Sequence, residues 1–436
     1  MPAIDLPESP FMLLPVRQNF PGRALPDVTG AVRRELDASG IAAALAPGSR
    51  VAIGVGSRGV ANIGEIVRAV IEFFRTNGFR PFIFPAMGSH GGGTAEGQAA
   101  TLAHYGIAEA TMGCPVVSSL DVLSLGESNL AVETFVSRDA WNAEGIFLIN
   151  RIKWHTSFAG PLESGLTKMA AIGLGKLEGA KTSHSHARTL GMDRVIRSSG
   201  ELIFRTGKVL GGLAILEDST HETAQVAVLP AAQLIEREEE LLRLVKSWMP
   251  RIPVPAVDIL IVDEIGKNIS GTGMDLKVVN RGVHGEYNPW PNTPRVERIF
   301  IRSLSPHSGG NAVGVGLADV VHDDVLPRVN LQVSGLNART SGSLATVRIP
   351  LHFPSDRECI DLLTATVGKL NPAEVTIAWI HNTLELGAIA LSENLRGEID
   401  ANPDLEITGP AFPREFDEAG NLRPHPFHAA GKTATD

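Results

Sequence analysis

A chain of 436 residues is long enough for two or three domains, each with an apolar core of its own. Hydrophobic residues make up 43% and charged residues 20%, and the formal net charge is -9, which argues against a nucleic-acid or anionic-membrane surface built from clustered Lys and Arg. Only two cysteines occur, Cys114 and Cys359, so a disulfide scaffold and a Cys-x-x-Cys metal site are both excluded.

No stretch approaches the roughly 18 apolar residues of a spanning helix. Residues 1–20 carry Asp5, Glu8 and several prolines where a signal peptide would be apolar, so a cytoplasmic location and no membrane partner are expected. Arg50-Val51-Ala52-Ile53-Gly54-Val55 reads as a buried strand. A helix is predicted over 63–76, where Ile63, Ile66, Val67, Val70, Ile71 and Phe74 recur at helical spacing. Asn62 and Glu65 resemble a capping box at its start, and Asn77-Gly78 ends it. Residues 81–85 form the next predicted strand, and 94–105 the next helix, with Thr94 as N-cap. Residues 145–152 read as a third core strand leading straight to His155.

A helix over 231–248 closes this half, and Pro250, Pro253 and Pro255 read as a linker. Residues 257–262 start a second unit, with further strands near 298–301, 345–349 and 375–379. Alternating strands and helices predict an α/β fold of two domains with mostly parallel sheets and a cleft between them. The expected boundaries are 1–250, 256–412 and a polar, proline-rich tail over 413–436.

Three turns carry the chemistry. Gly54-Val55-Gly56-Ser57-Arg58-Gly59 formally matches the dinucleotide fingerprint G-x-G-x-x-G. That fingerprint also needs an acid at the end of the next strand, and Phe82-Ile83-Phe84-Pro85-Ala86-Met87 has none. A loop offering Ser57 and Arg58 to some other anion fits better, with a tight turn and a solvated arginine as the plainer alternative. The second turn, Gly88-Ser89-His90-Gly91-Gly92-Gly93, sets a histidine where a parallel sheet presents its ligands. Imidazole there suits proton transfer at neutral pH; otherwise His90 merely satisfies a loop carbonyl. The third is Trp154-His155, followed by Ser164-Gly165-Leu166-Thr167-Lys168. The apolar run after Lys168 predicts partial burial, which lowers an amine's pKa and makes it a nucleophile or covalent anchor. A lysine that snorkels to water remains open. His184 and His186 in an extended segment would share one side, a zinc-like pair that lacks an obvious third ligand; imidazole suits nickel as well.

In combination, a Ser-Arg turn, a Gly-Ser-His turn, a strand-end histidine, Ser-Gly-x-x-Lys and a histidine sixteen residues later resemble the lactate racemase superfamily. The resemblance is clearest over residues 50–190. It implies a nickel-pincer nucleotide, a pyridinium mononucleotide whose two sulfur arms and ring carbon hold nickel. Lys168 would carry it through a thioamide, His184 would ligate nickel, and Ser57, Ser164 and Gly165 would line it. His90 and His155 would be acid–base groups on opposite faces of a 2-hydroxy acid, and Arg58 would hold the carboxylate. The implied activity is that of a 2-hydroxy acid racemase or epimerase, an isomerase whose partners are its small-molecule substrate and the enzymes that make the cofactor.

The departures from the family fall mainly on the substrate side. Val55 stands where the family has an acid, and His90-Gly91-Gly92 replaces His-Arg-Pro. His155 and Lys168 are thirteen residues apart, implying a three-residue insertion around Pro161-Leu162-Glu163. The substrate lysine of the second domain corresponds to either Lys267 or Lys277. A substrate other than lactate, such as a sugar acid or a dicarboxylic acid, is therefore expected. The competing readings are a nicotinamide-dependent oxidoreductase using Gly54 to Gly59, a zinc hydrolase using His184 and His186, and a binding module that has lost the cofactor.

Overall fold

Residues 12–56, 59–291 and 293–424 are described by a computed structural model, in two compact units. One spans Pro21–Met249; the other joins the described residues of Met1–Phe20 to those of Pro250–Asp436. The strands in chain order are β1 (Met12–Gln18), β2 (Arg50–Val55), β3 (Arg80–Pro85), β4 (Val122–Glu127), β5 (Glu133–Ser137), β6 (Gly145–Arg151), β7 (Val209–Glu217) and β8 (Thr223–Pro230). They continue with β9 (Ala256–Ile265), β10 (Arg295–Leu304), β11 (Val320–His322), β12 (Leu351–Phe353), β13 (Ile377–Ile380), β14 (Ala388–Ser392), β15 (Leu405–Ile407) and β16 (Phe412–Pro413).

The first unit is built on a sheet of order β3-β2-β6-β7-β8, parallel except for the last pair. Its strands are apolar on both faces because helices cover both. Ile53, Phe147 and Ile149 pack on one side with Ile66, Val70 and Phe74 of the helix Ile63–Thr76. Ala52, Phe84 and Leu148 pack on the other with Met169, Leu241 and Leu242. Residues 63–76 form the predicted helix, but Asn62 is no cap: it is left-handed (φ 58°) and its side-chain amide bonds Thr223 Oγ1 at 3.2 Å. Thr94 does cap its helix, accepting from the Gly97 N–H.

The second unit holds a sheet of order β12-β11-β10-β9-β13-β14-β1-β15, with β16 also on β1. It is parallel from β12 to β13 and antiparallel beyond. The fold is α/β with mostly parallel sheets. Three details depart from expectation. Residues 12–18, assigned by sequence to the first half, form β1 inside this second sheet, where Leu13, Leu14 and Val16 are fully buried between β14 and β15. Residues 344–347 make a 3₁₀ turn rather than a strand; Pro350 has no N–H for a ladder, and the strand β12 starts only after it. The expected tail begins as structure, with Pro413 paired to Met12 of β1 and Leu422 buried.

Candidate functional site

In the first unit, the loops leaving the carboxyl ends of β2, β3 and β6 converge on one segment, residues 164–184. That is the end of a parallel sheet at which ligands are held. Gly56, after β2, faces the Asn150 side chain and Met169 so closely that a Cβ would press on both. Asn150, in β6, donates from Nδ2 to the Gly165 carbonyl at 2.8 Å. After β3, Gly88 lies against Ile172 and Ala180. The Lys153 and Ser164 backbones pair at 3.0 and 3.2 Å, closing the loop that holds His155.

Lys168 ends a short α-turn (Leu166–Lys168) that passes directly into a π-turn (Met169–Gly173). Such π-turns interrupt the regular ladder and are frequent at functional sites. The turn begins on a carboxylate. Glu238, on the helix Leu234–Trp248, is buried and accepts from the Thr167 N–H at 2.8 Å and the Thr167 hydroxyl at 2.7 Å. Burial raises its pKa to about 7, against the lowering effect of these bonds and of the Leu166 N–H. Gly165 is glycine for this reason: a Cβ would collide with Glu238 Oε1.

His155 sits on a loop fixed by a second buried carboxylate. Glu163 accepts from the His155 N–H at 2.5 Å and the Gly160 N–H at 3.3 Å, and pairs with Lys246 at 2.5 Å. The His155 ring stacks on Phe158 at 4.3 Å between centroids, and the Lys168 ammonium lies 5.8 Å from the centroid of that same ring. His155 Nδ1 accepts from the Ser157 N–H at 3.1 Å, so the neutral ring carries its proton on Nε2.

His184 lies on the helix Lys176–Leu190. Its pKa is below the usual histidine value, first through desolvation and then through the Lys168 ammonium. Lys168 and His184 are thus electrostatic neighbours, and His184 is neutral at pH 7, the state that binds metals.

The second turn seats on the same helix. Gly93 contacts Leu177, while Gly88 contacts Ala180, so this turn lies one helical turn before His184. His90 itself is exposed. Gly91, Gly92 and Gly93 follow with φ of 63°, 68° and 67°, a left-handed run that only glycine sustains without strain. Beneath the turn lies a residue that sequence reasoning missed. Lys176 is 1% exposed and donates to the Pro85 carbonyl at 2.6 Å, with Gln98 Oε1 3.4 Å away. Gln98 in turn donates to the Met87 and Gly88 carbonyls. Burial lowers the pKa of Lys176 to about 8.

The other expected residues are placed as follows. Ser57 and Arg58 lie outside the described residues. Lys267 and Lys277 belong to the second unit. Lys277 is 5% exposed with its ammonium 5.5 Å from the Trp290 ring centroid. Lys267 is half-buried, bonded to the Gly271 carbonyl and, at 3.3 Å, to Asn337 Oδ1. The zinc pair of the competing reading, His184 with His186, does not form. Its segment is helical rather than extended, and residues two apart on a helix point about 200° apart. His186 turns away, its Nδ1 2.9 Å from the Thr182 carbonyl oxygen, and lines a separate open groove of about 450 Å³ with Glu127, Glu133 and Lys181. Among the described residues no group of three His, Cys, Asp or Glu side chains could hold a metal ion.

No protein-family model matches the chain, and no curated protein does. Among solved structures it is similar to a protein of Thermotoga maritima, with TM-score 0.46 and 16% identity, covering 64% of this chain and 71% of that one. It is also similar to the lactate racemase apoprotein from Thermoanaerobacterium thermosaccharolyticum, with TM-score 0.42 and 11% identity, covering 66% and 74%.

Proposed function

We propose that this chain is an isomerase, a racemase or epimerase acting at C2 of a 2-hydroxy acid, with Lys168 as the anchor of a nickel-pincer nucleotide. The observation that carries the proposal is the pairing of Lys168 with His184: sixteen residues apart, they share one electrostatic neighbourhood that also holds the His155–Phe158 stack. The donor chemistry fits the group. A thioamide tether would take an amine, and a nickel centre would take a neutral imidazole nitrogen. Lys168 supplies the amine, and His184, held below its usual pKa by desolvation and then by that amine, supplies the imidazole. Ser164 and Gly165 would border the group from the turn before Lys168, and Ser57 from the first turn.

When bound, the nucleotide supplies the acceptor for the substrate's Cα hydride and returns the hydride to either face. This chain's own residues manage position and protons. One of His90 and His155 would take the hydroxyl proton of one enantiomer as the 2-keto acid forms, and the other, on the opposite side, would give a proton to that oxygen as the mirror image forms. Arg58 would hold the carboxylate, with Lys267 or Lys277 of the second unit as a further cation for substrate. The two histidines are not equivalent. For His155 to act as base, Nδ1 must exchange the Ser157 N–H for a proton.

The test is intact-mass and nickel analysis of the protein co-expressed with the enzymes that make the cofactor, beside Lys168→Ala. Wild type should carry a covalent adduct and about one nickel per chain, and the variant neither. Unmodified wild type, with a loaded control protein from the same cells, would leave a binding module as the better reading.

A further inference from the structure

Glu238 is seventy residues away in sequence from the lysine it stands behind, and no motif points to it. It is 1% exposed, lies on a helix that packs across the back of the Lys168 turn, and meets that turn through the Thr167 N–H and hydroxyl. The first N–H groups of a helical turn have no partner within it, and a carboxylate aimed at them fixes both the start of the turn and its rotation about its own axis. Rotation matters here because Lys168 is the next residue. The regular ladder is interrupted by the π-turn immediately after it, so the turn takes its register from its first residues alone. Gly165 makes room for the carboxylate, and Asn150 holds the Gly165 carbonyl from the other side.

We propose that Glu238 is the positioning residue of Lys168: its carboxylate, bound to the start of the 166–168 turn, sets the direction in which the lysine leaves toward Phe158 and His184. The proposal rests on the reading of Lys168 as the anchoring amine. Glu238 touches neither substrate nor cofactor in this scheme; it acts through the backbone that carries the lysine. The near-neutral pKa of the carboxyl adds a second property, since protonation removes charge from behind the turn within the physiological pH range.

The test uses the full-length protein without cofactor, so it is independent of loading. Lysines are labelled competitively with acetic anhydride from pH 6 to 10 and read peptide by peptide by mass spectrometry, with exposed Lys181 as internal reference. Glu238→Gln should change the Lys168 labelling rate relative to Lys181 by about threefold or more, the effect of about half a pKa unit on a protonated amine. It should also abolish any inflection near pH 7 in the Lys168 profile. Thr167→Val, which keeps volume and deletes one donor to Glu238, should move Lys168 in the same direction by less, and serves if Glu238→Gln fails to fold.

Superimposable Lys168 profiles in wild type and a folded variant would overturn the proposal, as would full adduct formation in Glu238→Gln. A profile that responds to Glu238→Gln in a protein that never acquires an adduct would overturn the cofactor reading and leave the positioning role standing.

Discussion

Lys168 and Lys176 stand eight residues apart on either side of a π-turn, and their environments differ sharply. Lys168 is partly buried, as the apolar run after it predicts, whereas Lys176 is sealed in, with a positive φ of 51° and a carbonyl and an amide oxygen as its acceptors. An apolar stretch signals burial of the segment; which side chain points inward depends on helix phase, and the π-turn shifts that phase. Lys176 has a measurable consequence. Its pKa falls from the usual 10.5 to about 8, so between those values the unfolded chain binds a proton that the folded one does not. Stability therefore rises with pH across that window, and below about 8 the cost of the buried ammonium is felt in full, about 3 kcal/mol. Lys176→Met should lose this dependence. Urea denaturation at pH 7.5 and pH 10 should show wild type gaining about 2–3 kcal/mol more than the variant; equal gains would mean that Lys176 is hydrated.

At the scale of elements, one helix holds the site from behind. Leu234–Trp248 offers Glu238 to the Lys168 turn and, two turns later, Lys246 to Glu163 under the His155 loop. Glu163, in the stretch Pro161-Leu162-Glu163, is the carboxylate that fixes His155. Lys246→Met removes the ammonium paired with the fully buried Glu163 and should cost about 2–3 kcal/mol. That lies at or below the low end for wholly buried pairs because the Lys246 side chain keeps 29% exposure. Adding Glu163→Gln should recover part of the loss, a coupling of about 1–2 kcal/mol in a double-mutant cycle by urea denaturation. Strict additivity would show that the pair does not hold the loop. Strongly periodic elements such as Ile63–Thr76 were legible residue by residue because one apolar face repeats over several turns. Thr182 to His186 was misread as extended because such residues have weak helix preference; packing against the helix Met192–Arg205 and β5 overrides it. The order of Lys168, His184 and His155 was legible, whereas Glu238, Glu163 and Lys176 were not, since their meaning lies in partners 71, 8 and 91 residues away.

At the scale of the whole molecule, the chain order and the unit order differ. Alternating strands and helices made two α/β units legible, but nothing local in residues 12–18 shows that they cross to the sheet formed by residues 250–424. Such a pairing is sensed only through its partners, β14 and β15, nearly four hundred residues later. β1 is an interior strand there, and Leu13, Leu14 and Val16 each bury their side chains completely or to 1% exposure. Three such side chains contribute about 5–9 kcal/mol by burial, comparable to the entire net stability of a domain. A fragment of residues 250–436 should therefore lack a cooperative unfolding transition in calorimetry and should gain one when residues 1–20 are supplied as a peptide or by fusion. Residues 21–249, whose sheet is complete without β1, should unfold cooperatively alone and keep the Lys168–His184 neighbourhood, reported by a histidine NMR titration in which Lys168→Met raises the pKa of His184. A cooperative 250–436 fragment, unchanged by the peptide, would show that β1 decorates its sheet rather than completing it.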